Sequence, residues 1–230
     1  MDSLSKLENE SIYLIREAYS QFKDIGMLWS IGKDSTTLLW LIRKAFYGKI
    51  PFPVIHLDTG YKFKEIYEFR DYYARKWDLD LLVYRNEEAL QNGMGPGKGK
   101  LECCTQLKTQ ALKQVVAKNH IKALYLGIRR DEHGVRAKER FFSIRDQDFE
   151  WNYKEQSLEM WDQHRTETRE EEHFRIHPIL SWTEKDIWNY IEREKIPMVK
   201  LYFSDGEKRY RSIGCETCCN PILSTAGSVP

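Results

Sequence analysis

Apolar positions recur at helical spacing at the start of the chain. Leu4, Leu7, Leu14, Ile15, Ala18 and Phe22 fall on one face, so residues 1–25 predict an N-terminal amphipathic helix. The pattern then changes. Strand-like apolar runs at 26–31, 53–58, 79–85 and 122–128 alternate with helix-like runs at 34–47, 62–77 and 105–119. Alternation at these lengths predicts right-handed crossovers and an α/β fold, a parallel twisted sheet with helices on both faces, over residues 26–145. Ligands of such sheets bind beyond the carboxyl ends of the strands. Three polar stretches fall there: residues 30–35, Asp58-Thr59-Gly60, and Gly127-Ile-Arg-Arg130.

The remaining stretches break the alternation. Residues 92–100 are too glycine-rich for the interior of an element and read as a mobile loop, a linker or a lid. Residues 146–172 carry ten acids against three bases, with Trp151 and Trp161 among them, and read as an acidic excursion, a solvated face or a partner surface. Residues 173–230 form a C-terminal unit. A strand is expected at 175–180, then a capping box, Ser181-Trp-Thr-Glu184, opening a helix over 183–194, then a short cysteine-containing segment.

Charge and composition narrow the class. The net charge of +1 argues neither for nor against nucleic acid, although residues 122–145 hold seven bases against three acids, a patch suited to a DNA backbone or to a polyphosphate. No run of 18 apolar residues exists and the N-terminus lacks a signal-peptide core, so no membrane contact and a cytoplasmic location are expected. The five cysteines include two adjacent pairs, Cys103-Cys104 and Cys218-Cys219. An odd number so arranged is unlike a secreted disulfide framework and points to chemistry or a metal, with inert buried thiols as the plain alternative.

The chemistry concentrates after the first strand, in Ser30-Ile-Gly-Lys-Asp-Ser35 followed by Thr36 and Thr37. A strand, a small-residue turn and a helix start aim backbone N–H groups and the positive helix end at an anion. Lys33 adds a charge, and Ser30, Ser35 and Thr36 add hydroxyl donors beside Gly32. Neither G-x-x-x-x-G-K-[ST] nor G-x-G-x-x-G is present. Arg129, Arg130, Arg136, Lys138 and Arg140 form a basic group, and Arg suits bidentate phosphate contact. For Lys138 and Glu139 a helix-surface pair is the simpler reading. Asp34 and Asp58 are the carboxylates available to Mg²⁺, or alternatively to cap the helices that follow.

The loop resembles S-G-G-x-D-S, the pyrophosphatase loop of enzymes that split ATP between the α and β phosphates, with Ile31 where the first glycine stands. The form S-I-G-K-D-S is that of the small subunits of bacterial ATP sulfurylases. Further matching stretches are Pro51-Phe-Pro-Val-Ile-His-Leu-Asp-Thr-Gly60, Tyr67-Glu-Phe-Arg-Asp71, Arg129-Arg-Asp-Glu132, Arg136-Ala-Lys-Glu-Arg140, Trp182-Thr-Glu-Lys-Asp-Ile-Trp188 and Arg211-Ser-Ile-Gly-Cys215. Over nearly its whole length the chain thus resembles the superfamily of phosphoadenylyl-sulfate reductases and ATP sulfurylase small subunits. The resemblance implies an adenine nucleotide α-hydrolase-like fold and ATP with Mg²⁺ as cofactors. It puts Ser30, Gly32, Lys33, Asp34 and Ser35 on the phosphates, with Thr36 beside them and Asp34 toward Mg²⁺. Asp58 and Thr59 then lie near the nucleoside, Gly127, Arg136 and Arg140 are further expected ATP-binding residues, and Arg129 and Arg130 face the anionic substrate side. Lys33, Asp34, Arg129 and Arg130 are the expected catalytic residues.

Two departures open alternatives. ATP sulfurylase small subunits continue past the position of Pro230, and that tail helps to engage a GTPase subunit. Also, Cys103, Cys104, Cys215 and Cys218 resemble the CC…CxxC set that holds a [4Fe–4S] cluster in adenylyl-sulfate reductases, a set that would equally suit Zn²⁺. Cys219 is left over, a possible sulfur carrier. The reductase's catalytic E-C-G-x-H tail is not present after Cys219. A third relative, the ATP pyrophosphatases of DNA phosphorothioation, combines an ATP site with sulfur handling. The expected acceptor is then a DNA backbone phosphate, with a cysteine desulfurase and DNA-modification components as partners. The alternative is sulfate, with a GTPase partner. Less favoured are an adenylyl-sulfate reductase-like iron–sulfur protein and a subunit that holds ATP without turning it over; Ile31 in place of glycine, which takes away one close backbone approach to phosphate, speaks for the latter, and the presence of Lys33, Asp34 and Ser35 speaks against it.

Overall fold

A computed structural model describes residues 2–146, 148–154, 156, 159, 164, 166 and 172–228. Its strands in the main sheet are β1 (Ile25–Leu28), β2 (Val54–Leu57), β3 (Leu81–Tyr84), β4 (Ala123–Tyr125), β5 (Phe142–Arg145) and β6 (His173–Ile176). They order as β3-β2-β1-β4-β6-β5, parallel throughout except for the antiparallel β5–β6 pair. The expected parallel sheet is therefore present with an added antiparallel edge. β5 lies inside a stretch read above mainly for its bases, and its period-2 signal is only four residues long.

The helices are α1 (Ser3–Gln21), α2 (Lys33–Ala45), α3 (Lys64–Lys76), α4 (Glu87–Gln91), α5 (Lys100–Cys104), α6 (Ala111–Lys118) and α7 (Glu184–Glu194). A π-helical turn, Thr105–Gln110, joins α5 to α6, so the helix expected at 105–119 begins earlier and is widened, underwound, in its middle. The glycine-rich stretch 92–100 closes with a 3₁₀ turn at Pro96–Lys98 before α5 opens. A small hairpin, β7 (Lys208–Arg209) with β8 (Ile222–Leu223), lies near the C-terminus.

The C-terminal unit departs from expectation at two joints. β6 ends at Ile176 because Pro178 cannot donate to a ladder and the chain turns over 178–180. The helix cap is also displaced. Thr183, not Ser181, is the N-cap: its hydroxyl accepts from Asp186 N at 3.2 Å, and the Asp186 carboxylate accepts from Thr183 N at 2.9 Å. Trp182 is fully buried just before the cap, which leaves Thr183 as the first hydroxyl able to reach back to the helix. Glu184 is thereby freed from capping.

Ile15, Ala18, Phe22, Met27, Trp29, Leu38, Leu39, Val54, Tyr125, Phe174, Ile187 and Tyr190 make the main core, each worth about 1.5–3 kcal/mol of burial for the large side chains. α1 is tied across the fold. Ser11 donates to Pro178 O at 2.8 Å and accepts from Trp182 Nε1 at 3.0 Å, and the Tyr125 hydroxyl donates to Ile15 O. Among the described residues no helix is long and apolar enough to cross a membrane.

Candidate active site

The strand order reverses at β1, with β2 and β3 on one side and β4, β6 and β5 on the other. A crevice opens at such a point beyond the carboxyl ends of β1 and β4. The loop from Ser30 to Gly32 leaves β1 there, and Lys33 starts α2. Ile31 sits at φ 67, the left-handed region that a glycine would take without strain, while its side chain is buried in the core. The glycine-like course of the backbone is thus kept with isoleucine in it. The Ser30 and Ser35 hydroxyls lie 3.0 Å apart, and Ser35 donates to Gly32 O at 3.1 Å. The Tyr202 hydroxyl accepts from Lys33 N at 2.8 Å. Gly127, after β4, packs directly on this helix start. A Cβ there would lie 2.9 Å from Ser35 Cα and N, so only glycine fits without moving the loop.

Charged groups from four places meet at the loop. Lys33 Nζ pairs with Asp34 at 3.1 Å and with Glu184 at 3.5 Å; Glu184 also pairs with Arg211 at 2.7 Å. Burial pulls the Lys33 ammonium below its ordinary value, with Glu184 opposing. The hydrogen bond from Arg211 holds the Glu184 carboxyl down, helped by Lys33. Arg129 is nearly fully buried, pairs with the Asp34 carboxylate, and reaches Asp131 at 2.8 Å. Neither Glu184 nor Tyr202 was singled out in the sequence. Glu184 looked like half of a capping box, and Tyr202 reaches Lys33 from 169 residues away, a contact no local pattern carries.

A cavity of about 680 Å³ extends from the loop. It is lined at one end by Ser30, Gly32, Lys33, Asp34, Ser35 and Gly127, and along its wall by Arg136, Glu139, Arg145, Trp151, Arg175 and His177. That volume suits a small-molecule ligand. The expected site residues divide accordingly. Thr36 is turned inward, accepting from Trp29 Nε1 at 3.1 Å. Arg130 points away from the cavity: it donates to Glu139 O at 3.3 Å and lies over Phe141 at 5.1 Å. Arg136 lines the cavity and pairs with Glu132, whereas Arg140 does not line it. Asp58 and Thr59 lie at the end of β2, outside the lining. The Asp58 carboxylate accepts from Gly60 N and the Tyr67 hydroxyl, both at 2.8 Å, and pairs with Arg85 at 3.1 Å. These partners hold it below its ordinary value against the effect of burial. None of residues 92–100 lines the cavity, so a lid role for that stretch has no contact behind it. Trp151 lines the wall, whereas Trp161 lies outside the described residues.

The cysteines converge elsewhere. Burial raises the Cys103 thiol, and Cys104, Cys215 and Cys218 are close enough to raise it further. The Thr59 hydroxyl lies 3.2 Å from Cys215 Sγ, and Cys219 Sγ accepts from Gly214 N at 3.1 Å. All five are free thiols. Among the described residues no three Cys, His, Asp or Glu side chains gather closely enough to hold a metal ion. The four thiols are therefore neighbours without forming a coordination shell.

Loop, sheet order and basic wall coincide with one known domain. A model of the phosphoadenosine phosphosulfate reductase domain matches residues 24–221. The chain belongs to that family. Within it, the chain is 46 % identical to sulfate adenylyltransferase subunit 2 of Proteus mirabilis, an alignment covering 99 % of this chain and 85 % of the relative. It is 40 % identical to sulfate adenylyltransferase subunit 2 of Colwellia psychrerythraea, covering 99 % and 86 %. Among solved structures it is similar to phosphoadenylyl-sulfate reductase from Candida auris, with TM-score 0.65, 16 % identity, and 96 % and 98 % of the two chains covered. It is also similar to FMN adenylyltransferase of Candida glabrata in complex with ATP, with TM-score 0.61, 16 % identity, and 89 % and 62 % covered. At such identities the structural likeness speaks for the fold, that of the phosphoadenosine phosphosulfate reductase domain family.

Proposed function

We propose that this protein is an ATP-dependent nucleotidyltransferase that adenylates sulfate, working as the smaller subunit beside a partner protein. The observation that carries the reading is the cavity joining the Ser30–Ser35 loop to a basic wall, in a chain 46 % identical to a sulfate adenylyltransferase subunit. A sulfate oxygen attacks the α-phosphorus of ATP and forms an S–O–P bridge. The bond to the β-phosphate oxygen breaks, and pyrophosphate leaves with the electron pair. The attacking oxygen is already anionic, so no general base is needed. Lys33 and the start of α2 stabilise charge on the phosphates. Arg129, gripping Asp34 and Asp131, acts as a positioning residue for Asp34 rather than as an acceptor contact. Asp58 and Thr59, at the end of the neighbouring strand, are assigned to the nucleoside side.

Mg²⁺ is commonly held by one or two carboxylates together with substrate phosphates rather than by an all-protein cage. The cavity-lining Asp34 carboxylate fits that role, and Mg²⁺ bound there supplies charge neutralisation for departing pyrophosphate. The cysteines supply the right donor type for an iron–sulfur cluster or Zn²⁺ but lack the spacing, and no step is derived through such a group. The relatives favour sulfate over a DNA phosphate as acceptor, and nothing among them supports a desulfurase or DNA-modification partner.

The test is pyrophosphate release from Mg-ATP with and without sulfate, with adenylyl sulfate identified as the product, on the protein together with whatever subunit co-purifies. Sulfate-dependent release is expected, lost in Asp34→Ala with the fold retained by circular dichroism. Release indifferent to sulfate, or wild-type turnover in Asp34→Ala, would overturn the reading.

A further inference from the structure

Among the described residues, the wall of the cavity holds more positive than negative charge, and Arg175 has no close ion pair of its own. Phe174 and Ile176 of β6 point into the main core, so the alternation of the strand sends His173, Arg175 and His177 to the opposite face. Arg145 stands on the paired strand, in register with His173, while Arg175 is in register with Ser143. Glu139 is the acid at this wall, and Arg145 takes it, through Nη2 to Oε1 at 2.5 Å. The remaining Arg145 donors go to Ser143 Oγ at 2.6 Å and Ile144 O at 2.9 Å, and the Trp151 ring covers its guanidinium at 5.2 Å. Arg136 is already paired with Glu132.

The balance at Arg175 is therefore positive. Its Nε is buried and has no hydrogen-bond partner among the described residues. His177 donates through Nδ1 to Arg140 O, 2.8 Å away. Burial pushes His177 down to about 4 and His173 down to about 3, so both are neutral near pH 7 and add no charge. Burial and the neighbouring Arg145 lower Arg175 to about 10, which still leaves it protonated at neutral pH. Glu139 also acts on Arg175, but one carboxylate is shared there by two guanidinium groups; a partly buried guanidinium left short of negative charge is costly, and its planar fork matches two oxygens of a tetrahedral anion.

We propose that Arg175, backed by Arg145, is the acceptor-oxyanion contact of this cavity and takes one tetrahedral dianion, inorganic sulfate, in place of the Arg129–Arg130 pair that the sequence suggested. The assignment rests on the sulfate-adenylating reading for its identity of ligand, but the positive wall exists independently of it. Arg129 is committed to Asp34 and Asp131, and Arg130 does not line the cavity, so neither competes for this role.

Arg175→Gln and Arg175→Lys test it, with circular dichroism to verify folding. In sulfate-dependent pyrophosphate release, Arg175→Gln is expected to raise KM for sulfate about 10–100-fold, the range for losing a charged hydrogen-bonded contact, with KM for ATP changed less than about threefold. Arg175→Lys is expected to recover part of the loss. An unchanged KM for sulfate, or a rise confined to KM for ATP, would overturn the assignment while leaving sulfate adenylation standing. Equilibrium dialysis with radiolabelled sulfate gives a readout independent of turnover. Were the wild type to bind sulfate and Arg175→Gln not, with no adenylation by either, the subsite would stand and the adenylating function would fall. Equal sulfate binding by both, or none by the wild type, would sink the subsite.

Discussion

Ile31→Gly sets two structural terms against each other. Ile31 is 1 % exposed, so its side chain lies wholly within the core, and its backbone is at φ 67. Removing a buried isoleucine side chain costs about 2–5 kcal/mol on the scale of Ile→Ala changes. The glycine adds about 1 kcal/mol through the greater freedom of the unfolded chain. Against these, the left-handed conformation costs an L-residue about 1–2 kcal/mol, which glycine relieves. The difference favours the isoleucine by about 1–5 kcal/mol. In a chain of this length that is roughly 5–10 °C in midpoint for a mid-range loss. Urea unfolding and thermal melts of the wild type and Ile31→Gly measure it directly. Pyrophosphate release is expected within about threefold of wild type below the melt, because glycine accepts the same φ. An equally or more stable Ile31→Gly protein would mean that strain, not packing, dominates this position, and the reasoning would be wrong.

Acid is expected to weaken the fold well above the carboxylate range. Burial pushes His56 and His177 down to about 4 and His173 to about 3, against an ordinary value of 6.5. Each contributes stability that is fully present above pH 6.5 and is lost as pH falls toward its folded value, on the order of 3–5 kcal/mol apiece at full protonation. Urea midpoints at pH 7.5 and 5.0 should therefore differ clearly, and a flat profile over that window would contradict the buried neutral imidazoles. The thiols give a separate test. Cys218→Ser with Cys219→Ser should leave sulfate-dependent pyrophosphate release within about twofold, since no cysteine lines the cavity; a tenfold loss would restore sulfur chemistry to the mechanism.

The phosphate loop was legible because its signal is local. A strand, a small-residue turn and a polar helix start lie within ten residues, and their chemistry depends on backbone geometry that neighbours in sequence determine. The four strands β1 to β4 were legible for the same reason, through periodicity. What stayed hidden was set by partners distant in sequence. Arg130 looked like a phosphate contact until its position over Phe141 turned it from the cavity, and Arg175 went unremarked at the start of the strand expected at 175–180. Glu184 and Tyr202 reach Lys33 across more than 150 residues, a proximity no local pattern carries. The displaced cap at Thr183 has a different cause: both Ser181 and Thr183 satisfy the pattern, and only the burial of Trp182 separates them.

On the nucleotide-binding role proposed above, the contacts of Lys33 carry a kinetic consequence. The ammonium is shared between Asp34 and Glu184, and the Lys33 N–H is held by the Tyr202 hydroxyl. A phosphate arriving at this residue gains its contacts only by exchange for those partners, so the net free energy is a difference between two sets of bonds. Exchange of this kind moderates affinity without weakening selectivity, and it gives the residue somewhere to return as pyrophosphate leaves. Each turnover would then include a handover at Lys33 between substrate and protein, with Glu184 and Tyr202 helping to set how quickly the loop lets its product go.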